Sequence, residues 1–329
     1  PGPPVCQKRA LLAPPAMPVP SIPAPAGPPP ALPPSAGVPS HSTQRQGQKP
    51  VKYFLHLFSG VRRSGDLQDF LDQLFARHTF RVHVLSLDVA NDPKLGDLGN
   101  ERAIQFWLDM VQRGQVCGVM AGPPCETWSA ARFNPLPNCK CPPRPLRSLQ
   151  EPWGIPGLTD KEFAQLQVGN RLLRATIRFL YACFLAQVPM VMEHPSTSSF
   201  RPQAPSSWRL PEIQRLVAQC GVRLVHISQC MFGSSAKKDT TLLSVHIPAL
   251  WDIIRLKPGQ GMCCGGHQHV VLEGLDDDNR WKTAYAKSYP APLCDMLATA
   301  FGREICERSP ELQGEWEGEA FPPEPFRAF

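Results

Sequence analysis

Between about residue 52 and residue 301, short apolar runs alternate with longer segments in which apolar residues recur every three to four positions. The short runs end at a polar residue or a glycine, as buried strands do, whereas the longer segments have the period of an amphipathic helix. We predict strands at 53–58, 81–87, 116–120, 190–192, 223–228 and 241–246, and helices at 66–77, 100–113, 159–186, 211–220 and 290–301. This alternation predicts an α/β fold with a mostly parallel sheet and helices on both faces.

One stretch inside this pattern, residues 134–157, is broken by prolines and predicts a long loop. It contains Arg144, Arg147 and Trp153, which could contact phosphates and stack on bases. A solvated surface loop is the alternative, and the sequence leaves both open.

The two ends of the chain differ from this body. Sixteen of the 39 prolines fall in the first fifty residues, which predicts a disordered, proline-rich linker at 1–50. Residues 308–329 predict a second disordered segment, an acidic tail that contains prolines. The body therefore spans 51–307. The chain starts at Pro1 with neither an initiator Met nor a signal peptide, so we expect an intracellular, nuclear protein and a processed piece or fragment.

Composition adds few constraints. Hydrophobic residues make up 42% of the chain and charged residues 19%, which is enough apolar content for a sizeable core. No apolar run reaches the ~18–20 residues of a membrane span, so we expect no membrane partner. The twelve cysteines are scattered, which indicates reduced thiols rather than a disulfide scaffold. Net charge is +6, of which the first fifty residues hold +4 and the tail from residue 308 holds −3. The body therefore carries about +5, which permits an anionic partner.

Polar groups follow five of the predicted strands. In parallel sheets, ligands bind beyond the carboxyl ends of the strands, so these groups are the candidates for chemistry. They are Ser59 and Gly60, Asp88, Cys125, Glu193 and Gln229.

The third of these strand ends reads Gly-Pro-Pro-Cys-Glu-Thr-Trp-Ser at 122–129. Two prolines before Cys125 hold its thiol in a fixed position, which is what a nucleophile requires. The motif, the Phe-Ser-Gly turn at 58–60, and Glu193 sixty-eight residues after Cys125 together resemble the DNA cytosine-5 methyltransferase family over about 52–305. The resemblance implies a Rossmann-like methyltransferase fold and methyl transfer from S-adenosylmethionine to carbon-5 of a cytosine in DNA, with RNA as the second choice.

The resemblance also implies a role for individual residues. Cys125 is the nucleophile that adds to carbon-6 of the cytosine, and Glu193 is the acid that faces N3 and the exocyclic amine. A base must leave the duplex to reach such a thiol. The residues implied to bind the donor are Phe58, Ser59, Gly60, Asp88 and Pro123, and those implied to bind the substrate are Gln229, Lys237 and Lys238.

Four departures from the family pattern keep other functions open. Arg62 and Arg63 replace the glycine-rich continuation of the first turn, His194 and Pro195 follow the glutamate, lysines replace the paired arginines near 237, and only about forty residues, 248–285, stand in place of a recognition domain. One alternative is a catalytically inactive, nucleic-acid-binding or accessory module of a larger, mobile-element polyprotein. Another is methyl transfer to a small molecule or a protein. The oligomeric state stays open.

The 248–285 segment contains Cys-Cys-Gly-Gly-His-Gln-His at 263–269. Cys263, Cys264, His267 and His269 are metal-binding residue types, but adjacent cysteines are an awkward pair of ligands for one zinc ion. A zinc site completed by Cys139 and Cys141 and a plain turn are both open, and we assign no metal.

Overall fold

A computed structural model describes residues 50–134, 143–272, 274–276, 278 and 280–314. The segments 1–49 and 315–329, which carry most of the predicted linker and tail, lie outside this range, as do Cys139 and Cys141. The strands are β1 (Lys52–Leu57), β2 (Val82–Leu87), β3 (Val116–Ala121), β4 (Met190–Pro195), β5 (Val222–Ser228) and β6 (Asp239–Val245). The helices are α1 (Leu67–Arg77), α2 (Glu101–Gln112), α3 (Asp160–Leu185), α4 (Pro211–Val217), α5 (Pro248–Arg255) and α6 (Ala291–Arg308).

The six strands form one sheet in the order β2-β1-β3-β4-β6-β5. β1 pairs in parallel with β2 and β3, and β3 pairs in parallel with β4. β6 runs antiparallel between β4 and β5, so the other five strands share one direction. The predicted α/β class is confirmed, with a Rossmann-like, mostly parallel sheet. The carboxyl ends of β1 to β4 consequently lie along one edge.

Both faces of the sheet are covered, because its central strands are apolar on both sides. On one face, Leu55 and Val119 pack with side chains of α2, α3 and α4. On the other, Phe54 and Met120 pack with α1, α5 and α6. Each fully buried side chain of this size stabilises the fold by ~1.5–3 kcal/mol relative to exposure. Two buried layers therefore fix the strand ends.

Helix starts follow the local sequence. Asp66 caps α1 by accepting a hydrogen bond from the Asp69 amide, and Asn100 caps α2 in the same way. Thr159 and Glu162 form the predicted capping box at the start of α3. The short helix α5 was not predicted. Among the described residues, none of the helices combines the length and the apolarity that a bilayer crossing requires.

The structured body extends past the predicted boundary at residue 307. α6 ends at Arg308, and residues 309–314 fold back along β2, where the Arg81 amide donates to the Leu312 carbonyl at 3.0 Å. The buried Arg81 guanidinium donates to the carbonyl oxygens of Pro50, Glu311 and Gln313 at 3.1, 2.7 and 3.2 Å. Leu312 is fully buried. Leu312 is the one buried apolar residue in an otherwise polar segment, so the sequence pattern alone predicts a disordered tail.

Candidate active site

An open cleft of about 2130 Å³ lies over the carboxyl ends of β1 to β4. One side, which we call the strand-end wall, consists of residues 58–60, Asp88, 122–126 and Glu193. The opposite side, the loop wall, is formed by described residues between 262 and 289. Most of the predicted site residues therefore share one cavity.

The turn after β1 is shaped by residues that follow β2. Phe58 and Gly60 have positive φ angles of 59° and 68°, the left-handed region that glycine adopts without strain. The Gly60 amide donates to Asp88 Oδ2 at 3.0 Å, and Asn91 Nδ2 donates to Ser59 Oγ at 3.1 Å. A Cβ added to Gly60 would meet no atom within 4 Å, so the space beside the turn is open.

Arg62 and Arg63, which replace the expected glycines, are engaged by other groups. Arg62 forms ion pairs with Asp66 at 2.6 Å and with Asp69 at 2.8 Å, both at the start of α1. Arg63 donates to the carbonyl oxygen of Tyr289. Both guanidinium groups thus have partners away from Asp88.

Cys125 is half-buried in the cleft, directly after the two prolines that end the β3 segment. Its carbonyl oxygen accepts a hydrogen bond from the Trp128 amide at 2.9 Å, which closes the turn. Burial raises the pKa of the Cys125 thiol to about 11, and the charges of Glu193 and Glu126 act in the same direction. The positive charge of the Lys238 ammonium opposes this rise, because it favours the thiolate form of Cys125.

Arg147 supports this turn from below. It is 1% exposed, donates to Thr127 Oγ1 at 2.8 Å and to Asn170 Oδ1 at 2.7 Å, and its guanidinium lies 4.0 Å from the centre of the Trp128 ring. A Cβ on Gly169 of α3 would meet Thr127 Oγ1 at 2.8 Å, so this glycine makes room for the contact. Arg147 is therefore a buried support of the turn that carries Cys125, not a phosphate contact.

Arg144, the other arginine of this loop, is exposed and forms an ion pair with Glu162 at 2.7 Å. Burial lowers the pKa of Arg147 to about 9, and the nearby Arg132 adds to this effect. No local sequence pattern predicts these roles, because Thr127, Arg147 and Gly169 are distant from each other along the chain.

Glu193 is 5% exposed and is contacted by three side chains. Its Oε1 accepts a hydrogen bond from Thr240 Oγ1 at 3.2 Å and lies 3.3 Å from Lys238 Nζ, while its Oε2 accepts from the Tyr289 hydroxyl at 3.2 Å. A Cβ on Gly122 would meet that hydroxyl at 2.3 Å, so glycine is required for Tyr289 to approach. Sequence analysis missed Tyr289, whose only signal was its position before the last helix.

The charges around Glu193 also perturb its neighbours. Burial lowers the pKa of the Lys238 ammonium, but Glu193 and Cys125 outweigh this effect, and the pKa is raised. Burial and the Glu193 charge hold the pKa of Tyr289 well above its ordinary value. Lys238 is therefore a cation and Tyr289 a neutral donor at neutral pH.

The three residues expected to bind the substrate occupy different environments. Lys238 lies beside Glu193, and Lys237 is exposed, 3.6 Å from Asp239. Gln229 is 1% exposed and donates to Thr240 Oγ1 at 3.2 Å, so it reaches Glu193 only through that hydroxyl. It is not among the residues that line the cleft.

His194, the residue after Glu193, is buried and does not line the cleft. Its Nδ1 lies 2.8 Å from Ser207 Oγ, and its ring packs between Trp128 and Trp208. Burial, with smaller contributions from Lys238 and Arg147, lowers the pKa of His194 to about 3. It is a neutral packing residue at pH 7.

A group of metal-binding residue types lies beside the loop wall. The ligand atoms of Cys230, Cys263, His267 and His269 all lie within 4.8 Å of one another. Cys264, which the sequence offered as a ligand, is exposed and lies outside this group. The Cys-Cys-Gly-Gly-His-Gln-His motif does not identify Cys230 as a fourth ligand type, because β6 and α5 separate Cys230 from Cys263 along the chain.

No protein-family model matches the chain, and no curated protein matches it. A solved structure of the Dnmt2 methyltransferase of S. pombe matches with 11% sequence identity and a TM-score of 0.29. The match covers 70% of this chain and 62% of that one, which is less than two thirds of the solved protein.

Proposed function

We propose that this protein transfers a methyl group from S-adenosylmethionine to carbon-5 of a cytosine in DNA, through a covalent bond to Cys125. The observation that carries the proposal is that Cys125 and Glu193 line the same cleft as Gly60 and Asp88. A nucleophile, an acid and a candidate donor pocket thus border one cavity, and that combination is what this reaction needs.

The residues around Gly60 fit the donor. The open space beside Gly60 admits a ligand close to the backbone, and Asp88 keeps lone pairs beyond those used by the amides of Gly60 and Ala90. Asp88 would accept hydrogen bonds from the ribose hydroxyls. When bound, the donor supplies a methyl group activated by a positively charged sulfur.

The attack on the base uses Cys125. Its thiolate electron pair forms the bond from Sγ to carbon-6, which shifts the ring double-bond electrons to carbon-5, and carbon-5 then takes the methyl group. In that transfer the bond between the methyl group and the donor's sulfur breaks, and the sulfur keeps the electron pair. A solvent water then accepts the carbon-5 hydrogen as a proton, the electrons of that C–H bond restore the ring double bond, and the bond from Sγ to carbon-6 breaks to release the Cys125 thiolate. Glu193 would donate a proton toward N3, a contribution of about 10² to 10⁴-fold for general acid catalysis.

Lys238 couples these two residues. At rest its ammonium lies 3.3 Å from Glu193, and its charge lowers the pKa of Cys125. If the thiol proton passes to the carboxylate, Glu193 becomes the neutral acid and Lys238 becomes the counter-ion of the thiolate. Charge in this buried site is conserved throughout, which avoids the cost of an unpaired ion.

An inactive nucleic-acid-binding or accessory module is the second candidate. The surroundings of Cys125 favour it: the side chain is half-buried in a cleft that also contains the carboxylates of Glu126 and Glu193. Burial and these charges raise the pKa of the thiol and so disfavour the thiolate at neutral pH. Such a module would bind nucleic acid and not the donor.

A DNA oligonucleotide that contains 5-fluorocytosine tests the proposal. The fluorine cannot leave as the proton does, so with S-adenosylmethionine present the protein should become covalently attached to the DNA, and mass spectrometry should locate the bond at Cys125. Cys125→Ser should abolish attachment. Cys220→Ser, at an exposed cysteine outside the cleft lining, should retain it.

Three results would change the conclusion. Attachment at another cysteine would overturn the mechanism. Attachment to fluorinated RNA and not DNA would change the substrate. Nucleic-acid binding without donor binding by calorimetry would favour the inactive module.

A further inference from the structure

Four side chains from two separate segments converge beside the loop wall. Cys230 lies in the short 3₁₀ turn Gln229–Phe232 after β5, and Cys263, His267 and His269 come from the loop that follows α5. Cys263 Sγ lies 3.4 Å from His269 Nε2 and 4.0 Å from His267 Nε2. Zinc bonds of ~2.3 Å to sulfur and ~2.0 Å to nitrogen give tetrahedral edges of roughly 3.3–3.8 Å. The distance from Cys263 Sγ to His269 Nε2 falls in this range, and all four atoms lie within 4.8 Å of one another, so small side-chain movements would bring them to the edges of a tetrahedral site.

We infer that Cys230, Cys263, His267 and His269 bind one Zn²⁺ ion. Two thiolates and two imidazoles are a ligand set that suits zinc. The amide of Gly265 donates to Cys263 Sγ at 3.3 Å, a contact that stabilises a thiolate. Four protein ligands close the coordination sphere, so the site is structural rather than catalytic.

The location of the site indicates a role in stabilising the loop wall. The loop wall exposes the apolar side chains of Met262, Val270, Val271, Leu275 and Trp281, so little of its apolar surface contributes to a core. Its attachments to the body are polar: the Cys263 amide donates to Ser228 Oγ at 3.1 Å, and the Val270 amide donates to the Ser235 carbonyl at 2.9 Å. A segment with so small a core needs a cross-link such as a metal.

The zinc ion would join the loop wall to the end of β5. Because His269 is both a ligand and a residue that lines the cleft, the ion would also fix the distance between the loop wall and the strand-end wall. This role is independent of the proposed methyl transfer, since it holds for an inactive module as well.

Metal analysis of the full chain tests the inference. Protein purified with zinc should contain one equivalent, and cobalt substitution should give the visible spectrum of a tetrahedral site with thiolate charge-transfer bands. Cys230→Ala and His267→Ala should each lose the bound metal. Cys264→Ala should retain it, and this variant is a matched control because Cys264 is adjacent in sequence and outside the group.

A ligand exchange separates metal binding from misfolding. His267→Cys should keep one equivalent of zinc and give a stronger thiolate-to-cobalt band than the unaltered protein. Retention of zinc by Cys230→Ala would overturn the inference, as would its loss in Cys264→Ala or in a variant with Cys139 and Cys141 both replaced by Ala. A disulfide between Cys230 and Cys263 in protein prepared under reducing conditions would also overturn it.

Discussion

The two walls of the cleft are built on different principles. Strands β1, β3 and β4 support the strand-end wall, and their side chains Leu57, Ala121 and Met192 are fully buried. The loop wall carries exposed apolar side chains, among them Val271 and Trp281, and contacts the opposite side through polar groups. Buried strands therefore place Cys125 and Glu193, whereas the loop wall has less buried apolar support.

The walls meet at Glu193. Tyr289, at the end of the loop wall, donates to its Oε2, while Lys287 forms an ion pair with Glu126 at 2.9 Å beside Cys125. Exposed ion pairs contribute little, ~0–1 kcal/mol. The hydrogen bond from Tyr289 is part-buried and reaches the buried Glu193, so we expect it to govern how closely the loop wall approaches that carboxylate.

The largest expected effect is in hydrogen exchange. Amides of β3 should exchange only through global unfolding, whereas described residues of the loop wall should exchange through local opening. We expect protection factors in β3 to exceed those of the loop wall by at least about a thousandfold, a difference of ~4 kcal/mol in opening free energy. Mass spectrometry of exchanged peptides measures this. Equal protection of β3 and the loop wall in metal-depleted protein would mean that the two walls do not differ in local stability.

Glu193→Gln tests whether the strand-end wall supplies the chemistry. An amide cannot donate the proton of a carboxylic acid, so formation of the covalent complex with fluorinated DNA should slow by about 10² to 10⁴-fold. Tyr289→Phe, which removes a loop-wall hydrogen bond to the same carboxylate, should slow it about fivefold, as expected for ~1 kcal/mol. Single-turnover rates give both values. If the two variants slow the reaction by similar factors, the hydrogen bond from Tyr289 contributes as much to the rate as the carboxyl group of Glu193.

The sequence predicts the strand-end wall better than the loop wall, because buried strands have a local pattern and long-range contacts do not. Buried apolar runs identify β1 to β4, and the polar residue after each run places Asp88, Cys125 and Glu193 at one edge of the sheet. Tyr289, Arg147 and Cys230 act through contacts with residues far away in sequence, which no local pattern encodes. Helix α5 was missed because its eight residues are too short for a clear period.

Arg147→Met tests the support beneath the strand-end wall. The change leaves Asn170 and Thr127 without their buried hydrogen-bond donor, so we expect the free energy of unfolding to fall by about 3 kcal/mol. Arg144→Met, in the same loop but exposed, should leave the stability unchanged within error. Urea denaturation compares the two variants. An equal loss of stability in the two variants would mean that the buried contacts of Arg147 contribute no more than the exposed ion pair of Arg144.

Shortening the chain tests where the body ends. A chain that ends at Gly314 should be as stable as the full chain if residues 315–329 add no core. A chain that ends at Arg308 loses the burial of Leu312 and two carbonyl acceptors of Arg81, so we expect a loss of about 2–3 kcal/mol. The midpoints of urea unfolding measure the difference. Equal midpoints would restore the boundary predicted from sequence.

The remaining prediction concerns the donor side of the strand-end wall. Asp88→Ala should weaken S-adenosylmethionine binding about tenfold, which corresponds to ~1.4 kcal/mol for a lost ribose contact. Because Asp88 also holds the Gly60 amide at 3.0 Å, the variant could act through the turn instead. A donor analogue without the two ribose hydroxyls separates the causes: it should bind the unaltered protein about tenfold more weakly, and Asp88→Ala should weaken it no further. Calorimetry supplies all four affinities. Equal weakening of both ligands would assign Asp88 to the turn alone, and no binding of S-adenosylmethionine by the unaltered protein would end the methyltransferase proposal.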